Sequence, residues 1–377
     1  MLILGIETSC DETAASVIEV KKVRTQDLVF IRSNIVSSQI DIHKKYGGVV
    51  PEVAAREHVL NILPVINEAL VEAGIKRKNA KSCIPTKKKI DVIAVATGPG
   101  LITSLITGVE TAKTLAYSWD IPVVSVNHIE GHIYANFIDN YKFFTSRSLG
   151  GGWPALILTV SGGHTMLVLM KGIGKFETIG ETRDDAAGEA FDKAAKLMNI
   201  GYPGGPVVSA EAAKFLNSKS EILNKSKIQN PKSKIVLPRP MINSNNFDFS
   251  FSGLKTALLY ELQKLSKSEI RNLKSEICYE FQQAVIDVLI HKTIKAAKKY
   301  KAKTIMLAGG VSANQELRKQ MKEKINALLP NSKFLIPKME YTTDNAVMIA
   351  MAGYYKAKQK KFTPWQKLIA DCNLELK

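Results

Sequence analysis

The order of strand-like and helix-like segments runs through this chain twice, and that repetition constrains the fold more than any single motif. Leu2–Glu7, Ala14–Val20 and Leu28–Ile35 are short runs rich in β-branched residues, separated by polar turns, and predict three strands. A helix is expected over about Pro51–Ala73, kinked or divided at Pro64. Asp91–Thr97 predicts a buried strand running into Gly98–Pro99–Gly100 and a helix near Leu101–Tyr117. Pro122–Val126 predicts the next strand, and a helix carrying two histidines follows. The order is β-β-β-α-β-α-β-α. It recurs as strands at Ala155–Ser161, His164–Met170 and Phe176–Gly180, then a helix at Ala186–Asn199. An irregular region separates these from a long helix at about Ser275–Tyr300, and Thr304–Ala308, Ala313–Leu328, Phe334–Ile336 and Asn345–Ala357 complete the series. Two α/β domains of one topology with a cleft between them follow. The expected bounds are 1–140 and 153–358, with a link at 141–152, a Lys/Ser-rich insertion at about 217–236 and a tail at 359–377.

At 377 residues the chain can bury the cores of two such domains. No apolar run is long enough to cross a membrane, and the N-terminus opens on a strand-like run without a signal-peptide pattern. The four cysteines form no CxxC and read as reduced thiols, which places the protein in the cytoplasm. The net charge of +17 suggests an anionic partner, nucleic acid first, although a lysine-biased genome would also produce it. Basic clusters stand at Lys76–Lys89, Lys214–Lys234 and Lys292–Lys303.

Candidate chemistry gathers at strand ends. His128 and His132 are four apart, one turn of a helix, so two imidazoles can reach one metal ion or simply share a helix face. Glu130 lies roughly 200° round the helix from His128 and points away, so this is not the zincin arrangement. Asp344 precedes a helix and can cap it or join the histidines as a third ligand. Gly98–Pro99–Gly100, Ser161–Gly162–Gly163–His164–Thr165, the glycines around Tyr202–Pro203 and Gly309–Gly310 offer backbone N–H groups to phosphate. No P-loop and no dinucleotide fingerprint is present. Asp11 and Glu12, on the first hairpin turn, are solvated turn acids or, in a cleft, can hold a metal-bound nucleotide or accept a proton. His164 can contact a phosphate, and Asp192 lies on the more apolar part of its helix.

Ten ordered stretches resemble one family, the TsaD tRNA adenosine threonylcarbamoyltransferases once labelled glycoproteases. They are GIETSCDET (Gly5–Thr13), YGGVVPEVAAREHV (Tyr46–Val59), TGPGL, HIEGH, VSGGHT, DDAAGEAFDKAAKL, YPGGP, FDFSFSGLKT (Phe247–Thr256), AGGVSAN and TTDNAVMIA. The TSCDET form is similar to the bacterial branch. The resemblance implies an actin-like ATPase fold, ribonuclease H-like in each half. It implies transfer of threonylcarbamoyl from threonylcarbamoyl-adenylate to N6 of adenosine 37, in the anticodon loop of tRNAs reading codons that begin with A. It also implies one divalent metal per subunit, Fe²⁺ or else Zn²⁺, on His128, His132 and Asp344. Thr159, Val160, Ser161, Gly162, Gly163, Asp192, Gly205 and Asn314 would contact the adenylate, and TsaB and TsaE would be partners. Two other readings remain: a phosphotransferase of the same fold class, which gives the histidines no role, and a non-catalytic nucleotide-binding scaffold, which would be expected to lack them.

Overall fold

The structure, a computed structural model, describes residues 1–23, 26–76, 90–140, 152–222, 233 and 235–377. The expected link and the basic stretch around Lys76–Lys89 lie almost wholly outside those residues, as does most of the expected insertion.

Two five-stranded sheets share one topology. In the first, β1 (Leu2–Glu7), β2 (Glu12–Val23) and β3 (Gln26–Ser38) form an antiparallel meander, and β4 (Val92–Gly98) and β5 (Val123–Asn127) add in parallel, giving the order β3-β2-β1-β4-β5. The second is β10-β9-β6-β7-β8, built from β6 (Ala155–Val160), β7 (Thr165–Gly172), β8 (Lys175–Glu181), β9 (Thr304–Ala308) and β10 (Lys333–Leu335). Counted from its own first strand, its order is that of the first sheet. This is the duplicated actin-like, ribonuclease H-like architecture.

The helices among the described residues include α1 (Ile40–His43), α2 (Pro51–Glu72), α3 (Ile102–Trp119), α4 (His128–Ala135), α5 (Ala187–Leu197), α6 (Gly204–Ile222), α7 (Ser252–Gln263), α8 (Lys267–Lys299), α9 (Gln315–Leu328) and α10 (Ala346–Lys358). Pro64 does not divide α2. Its ring faces solvent beside exposed Leu60, so water can satisfy the carbonyl that the missing N–H leaves free. Two helices, α6 and α7, occupy the region expected to be irregular, and α6 runs into the start of the expected insertion. Helix α8 begins eight residues earlier than expected, behind a capping box in which Ser266 accepts from the Glu269 amide.

Three apolar clusters hold this together. Ile62, Ile66 and Leu70 of α2 and Leu105 and Val109 of α3 pack on one face of the first sheet. Phe191, Phe281, Leu289 and their neighbours cover the outer face of the second. The third cluster lies between the sheets and contains α4 and α10. Here the halves exchange helices: α10, from the end of the chain, packs on β1, β2, β4 and β5, whereas α4 reaches from β4 and β5 across to β6 and β9. All eight residues of α4 are buried. Gly5 permits the approach of α10, because a Cβ there would stand 2.3 Å from the Ala346 carbonyl oxygen. Among the described residues, no helix is long and apolar enough to cross a membrane.

Candidate metal centre and cleft

The exchanged helices meet where the carboxyl ends of β1, β4 and β5 open. Asn127 ends β5 and caps α4, its side-chain oxygen accepting from the amides of Ile129 and Glu130. The helix therefore starts at His128, and His132 follows one turn later with the rings edge to face at 4.6 Å. Asn345 caps α10 through the Met348 amide, which leaves Asp344 just outside that helix. Gly131, between the histidines, lets α4 approach α10: a Cβ there would stand 2.8 Å from Ile349 Cδ1. Glu130 points away from the histidines and pairs with Lys356 of α10 at 2.8 Å.

His132 Nε2 lies 3.0 Å and His128 Nε2 3.5 Å from Asp344 Oδ1, and one ligand atom from each of the three residues falls within 4.8 Å of the others. His132 Nε2 faces Asp344 from a buried place, and its Nδ1 is buried without a hydrogen-bond partner. Two buried imidazoles that turn their Nε2 atoms to one carboxylate oxygen fit a divalent ion with open coordination positions. Glu7, which lies on β1, supports this set: its Oε2 is 3.0 Å from His128 Nδ1, and its Oε1 accepts from the Ser9 amide at 2.5 Å. A carboxylate on Nδ1 fixes the ring's tautomer and directs the Nε2 lone pair toward a metal. Burial pulls the His128 pKa down, but Glu7 and Asp344 outweigh it and raise it. Burial pushes Asp344 up, and His128 and His132 overcome that and hold it low.

The two halves face each other across this point. His164, in the turn after β6, is pushed down to about 4 by burial and by His128 and His132. Its ring is neutral and can offer a phosphate one N–H but no charge. Glu12 is pushed well up by burial, Asp344 and Asp11. Burial raises Asp192 against the Gly204 amide that its Oδ1 accepts at 2.6 Å, and Asp11 from the other half raises it further. Ser161, Gly162 and Gly163 form an accessible turn, whereas Thr159 and Val160 are buried within β6. A Cβ at Gly162, Gly163, Gly205 or Gly310 would meet nothing within 4 Å, so these backbones border open space. Asn314 is occupied structurally: Nδ2 donates to Ser209 and Gln282, and Oδ1 caps α9 through the Leu317 amide. Sequence reasoning passed over Glu7 and Ser9, although both lie within the first motif.

A model of the TsaD family, described as tRNA N6-adenosine threonylcarbamoyltransferase, matches residues 30–351. The tRNA N6-adenosine threonylcarbamoyltransferase of Syntrophomonas wolfei is 44% identical over 363 residues, covering 96% of this chain and 94% of the relative. That of Dehalococcoides mccartyi is 48% identical over 356 residues, 94% of each. Among solved structures, HypF of T. kodakarensis matches 98% of this chain and 48% of its own at a TM-score of 0.54 and 14% identity, a likeness of fold alone.

Proposed function

The chain belongs to the TsaD family of tRNA N6-adenosine threonylcarbamoyltransferases, and from that premise we propose that it moves the threonylcarbamoyl group from threonylcarbamoyl-adenylate to N6 of adenosine 37 in tRNAs reading codons that begin with A. The observation that carries the chemistry is the pair of buried histidines, His128 and His132, closed by half-buried Asp344 and facing accessible glycine turns from the other half of the molecule. The N6 amine attacks the carbonyl carbon, the new C–N bond replaces the bond to phosphate oxygen, AMP leaves, and one amine proton needs an acceptor. His128, His132 and Asp344 would hold the divalent ion, Fe²⁺ or Zn²⁺, with Glu7 fixing the His128 tautomer. Bound there, the ion supplies Lewis-acid polarisation of the carbonyl. Amides of Gly162, Gly163, Gly205 and Gly310 bind the adenylate, with the Ser161 amide closing the turn on the His164 carbonyl and Asp192 setting the start of α6 at Gly204. Asp11 and Glu12 are the proton acceptors.

The charge of +17 supports tRNA as the polyanion. The exposed Val59, Leu60 and Leu63 on α2 support a protein partner on the first half, TsaB, with TsaE completing the assembly. The test is a single-turnover assay with TsaB, TsaE, ATP, threonylcarbamoyl-adenylate and unmodified tRNA, reading modified adenosine by mass spectrometry. Wild type forms product, and folded His132→Ala, depleted of metal, forms none. Equal product from both removes the metal from the chemistry, and no product from metal-loaded wild type overturns the transferase reading.

A further inference from the structure

The turn that carries Asp11 and Glu12 is held from behind by a histidine outside the metal set. His58 lies on α2 and is fully buried. Its Nε2 is 2.9 Å from the Cys10 carbonyl oxygen, and its Nδ1 is 2.7 Å from the Thr13 hydroxyl. A carbonyl can only accept, so Nε2 carries the ring proton. In the neutral ring Nδ1 is then an acceptor, and the buried Thr13 hydroxyl donates to it. One imidazole thus grips both ends of the four residues Cys10–Thr13, which contain both carboxyls. The Gln39 amide donates to the Asp11 carbonyl between those grips at 3.1 Å. The Gln39 side chain donates to Ala54, one turn before His58 on α2, and its oxygen meets His43 Nε2 at 3.0 Å.

We propose that His58 is a positioning residue for the reaction, setting the Asp11–Glu12 turn through the Cys10 carbonyl and the Thr13 hydroxyl. This rests on the reading of those carboxyls as proton acceptors. A leucine would fill the space but leave the Cys10 carbonyl and Thr13 hydroxyl unpaired in a buried place, and the turn would relax toward other partners. A glutamine keeps an N–H near the position of Nε2.

The experiment compares wild type, His58→Leu, His58→Gln and Thr13→Val in the single-turnover assay, with metal content and adenylate affinity measured alongside. His58→Leu should lose roughly 10- to 100-fold in rate at saturating adenylate, because small misplacements of reacting groups cost that much, with metal content and affinity unchanged. His58→Gln should recover most of the rate, and Thr13→Val should fall between. Nitrogen NMR of the wild-type ring should report the Nε2–H tautomer. Wild-type rates in folded His58→Leu or Thr13→Val, no rescue by glutamine, or the Nδ1–H tautomer would each overturn the proposal. Asp11→Asn and Glu12→Gln are run in parallel. If both keep the wild-type rate, the acceptor reading fails and the proposal falls with it. If either slows while His58→Leu does not, only the positioning role is lost.

Discussion

Metal entry into the His128–His132–Asp344 set should expel a proton. Burial opposes charge on His128, yet Glu7 and Asp344 on its two sides raise its pKa from 6.5 to about 9. That difference is on the order of 3 kcal/mol in favour of the proton. A metal needs the Nε2 lone pair, so each ion bound at pH 7 should release about one proton. Calorimetric titration of metal-free protein with Zn²⁺ in buffers of different ionisation enthalpy measures this directly. Apparent affinity should climb about tenfold per pH unit from 7 to about 8.5 and flatten above about 9. Fold stability without metal should run the other way. The raised His128 pKa contributes stability that is complete below pH 6.5 and is lost as pH rises through about 9. Glu7→Gln should move both trends to lower pH and weaken metal binding by about 10- to 100-fold. A binding enthalpy independent of buffer, together with an affinity flat in pH, would refute the reasoning, because the proton would not be where Glu7 and Asp344 place it.

Two further substitutions test how the exchanged helices hold the site. Gly131→Ala would bring a Cβ to 2.8 Å from Ile349 Cδ1 and 3.3 Å from Met348 Cγ. Overpacking of about 1–3 kcal/mol is partly offset by better helix propensity, so denaturant unfolding should show a loss of about 1 kcal/mol, with weaker metal binding as α4 moves off α10. Lys356→Met leaves Glu130 buried without its cation and should cost about 3 kcal/mol at neutral pH. Burial already raises the Glu130 carboxyl, so it accepts a proton as pH falls and the measured penalty should shrink toward acid.

The strands were legible in the sequence because each is a short apolar run closed by glycine or polar residues, and strands of that kind repeated in one order leave few topologies. The histidine pair was legible because its spacing is local. Non-local pairing was not: Glu7 lies 121 residues before His128, and His58 lies 48 after Cys10. The first turns of α8 (Lys267–Lys274) are mostly polar and largely exposed, and only Ile270 and Leu273 extend the apolar stripe into them. Helix α6 opens on Gly204–Gly205–Pro206, residues that usually signal a turn, and Asp192 supplies the contact that lets a helix begin there. The exchange of α4 and α10 leaves no local trace, since either helix would suit either sheet by its composition.

That exchange has a consequence for synthesis on the ribosome. His132 leaves the exit tunnel 212 residues ahead of Asp344, roughly 10–40 s at about 5–20 residues per second. Throughout that interval the inner face of the first sheet, with Ile3, Ile18, Ala94 and Val124, waits for a helix that has not been translated. The nascent chain thus presents a sticky apolar face until its last few dozen residues emerge. Burial of that face and completion of the His128–His132–Asp344 set become a single late event, so a chain truncated before Asp344 loses both together.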